Sequence, residues 1–395
     1  MSELGTVIVG AGLAAVRTAE QLRRNGYAAP ITIVGAEAHL PYDRPPLSKQ
    51  MLRGEVDNVD LKPASFYANH QITVRLGSAV TAVDPAAHLV TFDDGQTLGY
   101  DQLVIATGLV PRRISELAEL TGVCVLRTQD DCAELRRLAA DARRVVVVGA
   151  GFIGCEVAAS LRGLGLPVVL VEPQAAPLAG VVGEQVGALV TRLHRDAGVE
   201  VRTGVGVHSA AAGSDGATVQ SVTLSDGSVL DADLVVVGVG SRPATDWLTG
   251  SGIQVANGVL CDSVGRTSAP DVWALGDVAC WQDADGAHRR VEHWSNVADH
   301  ARTLVATMLD LDVAPSPNVP YFWSDQYDVK IQCLGRPAAS DTVHVVEDDG
   351  RRFMAYYERD GVLSAVVGAG LPEQVRSARS GIAAGRPISE VLHPV

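Results

Sequence analysis

Short apolar runs that stop abruptly at glycine set the rhythm of the chain up to Gly240. Val7-Ile-Val runs into Gly10-Ala-Gly12-Leu-Ala-Ala15, and Val146-Val-Val runs into Gly149-Ala-Gly151-Phe-Ile-Gly154. Each run has the length of a buried strand, so both segments predict a strand, a tight glycine turn and a helix. A second pair of matching segments follows. Val90-Thr-Phe-Asp-Asp-Gly95 leads to Leu103-Val-Ile-Ala-Thr-Gly108, and Val222-Thr-Leu-Ser-Asp-Gly227 leads to Leu234-Val-Val-Val-Gly238-Val-Gly240. The glycines stand 13 positions apart in both, from 95 to 108 and from 227 to 240. Each Asp-Gly predicts a hairpin turn and each later run a buried strand. One βαβ unit with one hairpin is therefore used twice.

The pattern then changes. From Trp294 onward Trp294, Val297, Ala298, Ala301, Leu304, Val305 and Met308 recur at three- and four-residue steps, which predicts an amphipathic helix. After about residue 317, Val329, Ile331 and Cys333 alternate with Lys330 and Gln332. Turns at Asp348-Asp-Gly350 and Arg359-Asp-Gly361 separate further strands near 341–347, 353–358 and 362–367. The expected fold class is α/β: two Rossmann-like three-layer dinucleotide-binding domains plus a small C-terminal α+β domain with an antiparallel sheet. The expected bounds are 1–108 with 241–316 for a discontinuous first domain, 109–240 for the second and 317–395 for the third.

Composition narrows the function classes. A formal charge of −14 and a pI near 5.1 argue against a nucleic-acid partner, which needs a basic field. No apolar run approaches the roughly 18 residues that span a bilayer, and Met1-Ser2-Glu3-Leu4-Gly5 carries no basic leader, so a cytoplasmic protein is expected. The cysteines, Cys124, Cys132, Cys155, Cys261, Cys280 and Cys333, have no C-x-x-C or zinc spacing and read as buried free thiols, with no metal site.

In the first fingerprint Gly10, Gly12 and the small Ala15 let backbone approach a pyrophosphate at a helix N-terminus. The strand Ile31-Thr-Ile-Val34 should end in an acid that holds a ribose, but Gly35 and Ala36 come first, leaving Glu37 as the candidate. The second fingerprint, Gly149, Gly151 and Gly154, is complete. Its partner strand Val168-Val-Leu-Val171 ends directly in Glu172, which favours NADH, because no arginine follows to receive a 2′-phosphate. Near the other end, Val272-Trp-Ala-Leu delivers Gly276 and Asp277, an acid suited to ribityl hydroxyls, to complement Ala106-Thr107-Gly108.

At this point the residues carry a family resemblance over essentially the whole chain. Pro41-Tyr-Asp-Arg44-Pro-Pro-Leu-Ser-Lys49, Leu126-Arg127-Thr128, Glu292-His-Trp294 and Tyr321-Phe-Trp-Ser-Asp-Gln326 resemble the two-dinucleotide-binding-domain flavoproteins. Within them the chain is similar to the NADH-dependent ferredoxin reductases of the putidaredoxin reductase and biphenyl dioxygenase reductase type. The resemblance implies FAD and NADH as cofactors. It implies that Ala14, Arg44, Lys49, Val80, Arg127, Asp277 and Trp294 line the FAD site, with His293 beside them, and that Ile153, Glu156 and Gly240 join the NAD fingerprint. Disulfide reductases of the superfamily carry a C-x-x-x-x-C pair on the helix after the second strand. Here Arg44-Pro-Pro-Leu-Ser-Lys49 stands there, so disulfide reduction through that pair is excluded.

Lys49 is one of three lysines, with Lys62 and Lys330, against 29 arginines. It is expected to face the flavin as a preorganised positive charge, paired with Glu156, which resembles the acid at the nicotinamide end in these reductases. The helix after Trp294 is expected to aim its positive end at the flavin. Electrons would pass from NADH to FAD and then singly to a small acidic 2Fe-2S ferredoxin that serves a cytochrome P450 or a Rieske oxygenase. A rubredoxin or a small oxidant is the alternative acceptor, and an NADH-sensing flavoprotein like apoptosis-inducing factor the alternative class. Lys330, Arg336, Arg376, Arg379, Arg289 and Arg290 are the candidates for a basic docking rim. A monomer or weak dimer is expected.

Overall fold

The computed structural model describes residues 4–292, 294–312 and 319–392. The chain divides into two compact units: 1–43, 59–110 and 241–316 form one, and 44–58, 111–240 and 317–395 the other.

The first unit is built on a parallel five-stranded sheet in the order Val272–Ala274, Gln102–Ile105, Thr6–Val9, Ile31–Val34, Ile72–Arg75. Its central strand is buried at every position, as a sheet covered on both faces requires. The helices Leu13–Arg24 and Asn296–Met308 pack against each other in this unit. The second of these buries Val297, Ala301, Leu304, Val305 and Ala306. It starts two residues after Trp294, which is 39% exposed and lies outside the apolar stripe. Val80–Asp84, Leu89–Phe92 and Thr97–Gly99 make an antiparallel meander.

The second unit repeats this plan. Its parallel sheet runs Glu200–Thr203, Val168–Glu172, Val145–Val148, Leu234–Val237, Val123–Cys124, and its meander is Val207–Ala212, Val219–Leu224, Val229–Asp231. In both sheets the glycine-turn strand is central, with the post-helix strand on one side and the post-hairpin strand on the other. Only the outermost strand beside the latter differs in origin, Val272–Ala274 in one and Val123–Cys124 in the other. The hairpins match bond for bond: Gly95 N donates to Phe92 O at 3.0 Å and Phe92 N to Gln96 O at 2.9 Å, while Gly227 N donates to Leu224 O at 3.0 Å and Leu224 N to Ser228 O at 2.8 Å. The two glycines adopt φ 79° and 83°, a left-handed backbone that glycine enters without steric cost.

The second unit also holds the C-terminal sheet, antiparallel throughout, in the order Tyr321–Gln326, Val329–Gly335, Val362–Ala369, Phe353–Arg359, Thr342–Asp348. Three short helices, Pro372–Ser377, Arg379–Ala383 and Ile388–Leu392, follow it. The α/β fold with an antiparallel C-terminal domain is the one expected from the sequence.

Candidate active site

In the first unit the parallel strands deliver their carboxyl ends to one edge, where Gly10, Ala106 and Gly276 follow Val9, Ile105 and Leu275. Close approach forces the small residues. A Cβ on Gly10 would lie 2.2 Å from Ala106 O at φ +116°, and one on Gly276 would lie 3.1 Å from Ala14 Cβ. Gly12 differs, because a Cβ there would meet nothing within 4 Å. Its side faces open space at the N-terminus of Leu13–Arg24, the place for a phosphate against helix amides.

The displaced acid has a local cause. As this backbone runs, a Cβ at Gly35 would sit 2.6 Å from Ala11 Cβ of the glycine turn, so the carboxylate appears two residues later. Glu37 accepts a hydrogen bond from Tyr42 Oη at 2.5 Å. Thr107 Oγ1 donates to Ala244 O at 2.8 Å, and Gly108 takes φ +66°. Arg290 Nη1 donates to the Asp277 carbonyl at 3.3 Å and pins the Gly276-Asp277 loop. Trp294 Nε1 donates to Asp43 Oδ1 at 2.8 Å. Val80 pairs with Phe92 in the meander and packs on the same core. His293 lies outside the described residues.

In the second unit the turn is packed in the same way. A Cβ on Gly149 would approach Gly238 O to 2.4 Å and one on Gly154 would approach Gly149 O to 1.8 Å, whereas Gly151 again has nothing within 4 Å. Glu172 folds back over the turn, accepting from Ala150 N at 2.6 Å and from Gln174 N at 2.9 Å. Ile153 is 42% exposed on the first helical turn, an apolar surface beside the open glycine. Gly240 stands at φ +89° with open space around it.

The same unit holds the proline-bearing segment. Pro45–Ser48 is a short 3-10 helix begun by its two prolines. Arg44 Nη1 donates to Arg127 O at 2.5 Å. Arg127 precedes a capping box in which Thr128 and Asp131 satisfy each other's amides at the start of the helix Gln129–Asp141. Lys49 is 4% exposed and its ammonium donates to Glu156 Oε2 at 2.7 Å and to Pro45 O at 2.9 Å. Glu156, 3% exposed, accepts three more bonds: from Ser48 Oγ at 2.5 Å, Ser324 Oγ at 2.9 Å and Asp325 N at 3.2 Å. A buried carboxylate is costly unless paired and hydrogen-bonded, and this one is both. The sequence pointed to the two charges. Ser48, Ser324 and the Asp325 amide were missed as partners; Tyr321–Gln326 buries Phe322, Ser324 and Gln326, but its residue types do not alternate and gave no signal.

The thiols take no part in this chemistry. All six are unpaired, and burial raises them, Cys132 to about 11 and Cys124 to about 12, so they stay protonated. The expected basic rim is reduced as well. Arg289 donates to Asp283 and Asp285, Arg290 pairs with Glu292, and Lys330 lies 3.3 Å from Asp325, while Arg376 and Arg379 are exposed.

Two family models match the chain: pyridine nucleotide-disulphide oxidoreductase over residues 5–301 and the reductase C-terminal domain over 321–392. The chain belongs to the pyridine nucleotide-disulphide oxidoreductase family. It is 40% identical over 367 residues to a ferredoxin–NAD(P)(+) reductase of Sphingomonas sp, covering 91% of this chain and 88% of that one. It is 39% identical over 360 residues to the ferredoxin–NAD(+) reductase component of the p-cumate 2,3-dioxygenase system of Pseudomonas putida, covering 91% and 85%. Among solved structures it is similar to the covalent putidaredoxin reductase–putidaredoxin complex, with a TM-score of 0.93, 32% identity and coverage of 98% and 94%. It is similar also to the ferredoxin reductase for the CYP199A2 system of Rhodopseudomonas palustris, with a TM-score of 0.92, 34% identity and coverage of 97% and 95%.

As a member of this family the protein is an oxidoreductase whose cofactors are FAD and NAD(H). The structure fits two dinucleotides: each unit has one glycine jammed against the neighbouring strand, one open at a helix N-terminus, and an acid near the end of the next strand. Among the described residues no helix is long and apolar enough to cross a membrane.

Proposed function

We propose that this protein is an NADH-dependent reductase of a small acidic 2Fe-2S ferredoxin that supplies a cytochrome P450 or a Rieske oxygenase. The observation that carries this reading is the buried Lys49–Glu156 pair, whose lysine ends the segment Arg44-Pro-Pro-Leu-Ser-Lys49 that stands where a disulfide reductase of the superfamily keeps its cysteines. With no thiol there, electrons need another exit. The relatives named as ferredoxin reductases and the solved reductase–putidaredoxin complex support a ferredoxin as that exit.

When bound, FAD would supply the conversion between the two-electron hydride chemistry of NADH and one-electron transfer. The chain supplies position and charge. For NADH we assign Gly149, Gly151, Ile153, Gly154, Glu156, Glu172 and Gly240. Glu172 already accepts two backbone amides and keeps lone pairs for ribose hydroxyls. For FAD we assign Gly10, Gly12, Ala14, Ala15, Glu37, Val80, Ala106, Thr107, Gly108, Gly276, Asp277 and Trp294. Arg44, Lys49, Arg127 and His293 join them on the family resemblance. Lys49 acts as a fixed cation where negative charge develops, and Glu156 holds it in place.

The domain bounds 1–108 with 241–316, 109–240 and 317–395, a cytoplasmic location and a monomer or weak dimer belong to the same proposal. Arg336, Arg376 and Arg379 are the steering charges it offers an acidic partner. NADH-driven cytochrome c reduction tests it. The rate is expected to rise at least tenfold when a 2Fe-2S ferredoxin is added, and a rate indifferent to ferredoxin overturns it.

A further inference from the structure

The strand Tyr321–Gln326 brings more than one polar side chain to the buried carboxylate of Glu156. Phe322, Ser324 and Gln326 point inward, and Ser324 and Gln326 are 1% and 0% exposed. Polar side chains this deep need partners, and theirs lead in one direction. Ser324 Oγ donates to Glu156 Oε1 at 2.9 Å, and Gln326 Nε2 donates to Ser324 Oγ at 3.2 Å.

A serine hydroxyl has a single proton, and here the Gln326 amide occupies an acceptor position on the oxygen. The proton is therefore left for Glu156. Among the described residues neither Gln326 Oε1 nor the buried His194 Nε2 has a hydrogen-bond partner, and the Gln326 side chain offsets part of the burial that lowers His194. His194 Nδ1 lies 2.8 Å from Tyr327 Oη. Two donors point the same way, Gln326 to Ser324 and Ser324 to Glu156.

We propose that Ser324 is a positioning residue for Glu156, its proton directed by Gln326, so that the C-terminal sheet takes part in reduction by NADH. The inference rests on the role given above to Glu156. Ser324 and the Asp325 amide grip one carboxylate oxygen while Ser48 and Lys49 grip the other. The carboxylate plane is thereby fixed, and loss of the Ser324 hydroxyl leaves Oε1 held by the Asp325 amide alone, at 3.2 Å. Misplacement by about 1 Å near a reacting centre costs up to about a hundredfold in rate.

Anaerobic stopped-flow reduction of the FAD-loaded enzyme by NADH tests this, with flavin content and Tm checked for every variant. Ser324→Ala is expected to slow reduction at saturating NADH about tenfold while changing the Kd for NADH less than about twofold. Its reoxidation by the electron acceptor should keep the wild-type rate. Ser324→Thr, which keeps the hydroxyl, should stay within about threefold of wild type. Gln326→Met, which leaves Ser324 in place and removes the directing amide, should slow reduction about threefold. In a Glu156→Gln background Ser324→Ala should add no further loss, because interacting residues are not additive. Wild-type rates in both Ser324→Ala and Gln326→Met, with Glu156→Gln slow, overturn the proposal and leave the role of Glu156 standing. A full additional loss in the double variant also overturns it. A wild-type rate in Glu156→Gln removes the role of Glu156 and the proposal with it.

Discussion

The Lys49 ammonium lies 2.7 Å from Glu156 Oε2, with both side chains buried and both within one compact unit. Removing one charge leaves the other without its counter-ion. Lys49→Met or Glu156→Gln alone is expected to slow flavin reduction by NADH at least tenfold, and the loss of one partner of a buried pair costs about 3–5 kcal/mol of stability. The double variant should lose less stability than the sum of the two, measured by denaturant unfolding. Additive losses would show that the pair is not a unit.

Gly10 and Gly12 separate folding from cofactor binding. A Cβ at Gly10 collides with Ala106 O, whereas at Gly12 it enters open space. Gly10→Ala should lower Tm by several degrees as purified. Gly12→Ala should hold Tm of the flavin-free protein within about 2 °C and lower its FAD affinity at least tenfold, since the methyl group occupies the approach to the helix amides. Equal FAD affinity in Gly12→Ala and wild type would remove the pyrophosphate from this turn.

Glu172 should set the choice of nucleotide. Its carboxylate already bonds two amides, and a 2′-phosphate beside it would meet like charge. NADH is expected to exceed NADPH in kcat/KM by at least tenfold, and Glu172→Gln should narrow the ratio. Equal values for the two nucleotides in the wild type would refute the assignment.

His194 gives the protein an acid-sensitive stability. Burial lowers it to about 4, so between about pH 6.5 and 4 the unfolded chain binds a proton that the folded chain does not. Stability from this group is intact above pH 6.5 and is lost as pH falls toward 4. Between pH 7 and 5 the loss is about 2 kcal/mol. His300, also lowered to about 4 by burial, adds to the same slope. Denaturant unfolding at the two pH values should show a drop about 2 kcal/mol smaller in His194→Gln; an unchanged drop would place the sensitivity elsewhere.

What the sequence disclosed was what is local. Gly95 and Gly227 announce their hairpins because an Asp-Gly turn is decided within four residues, and equal glycine offsets made the duplication visible. Glu37 was legible as an acid out of register, and the reason, Ala11 pressed against Gly35, needed coordinates. Trp294 fell in step with the apolar stripe of the following helix, yet the helix begins at Asn296 and the indole bonds Asp43, 251 residues away. The partners of Glu156 were hidden for the same reason: Ser48 and Ser324 lie 108 and 168 residues from it, and no local periodicity encodes such a meeting.

Electrons from NADH are proposed to leave this protein through a ferredoxin. Steady-state kcat/KM with a 2Fe-2S ferredoxin, a rubredoxin, a quinone and dioxygen, measured side by side with NADH saturating, tests it most directly. At least a hundredfold preference for the ferredoxin is expected. A rate with rubredoxin or a small oxidant equal to or above it would rule out the ferredoxin as the electron exit.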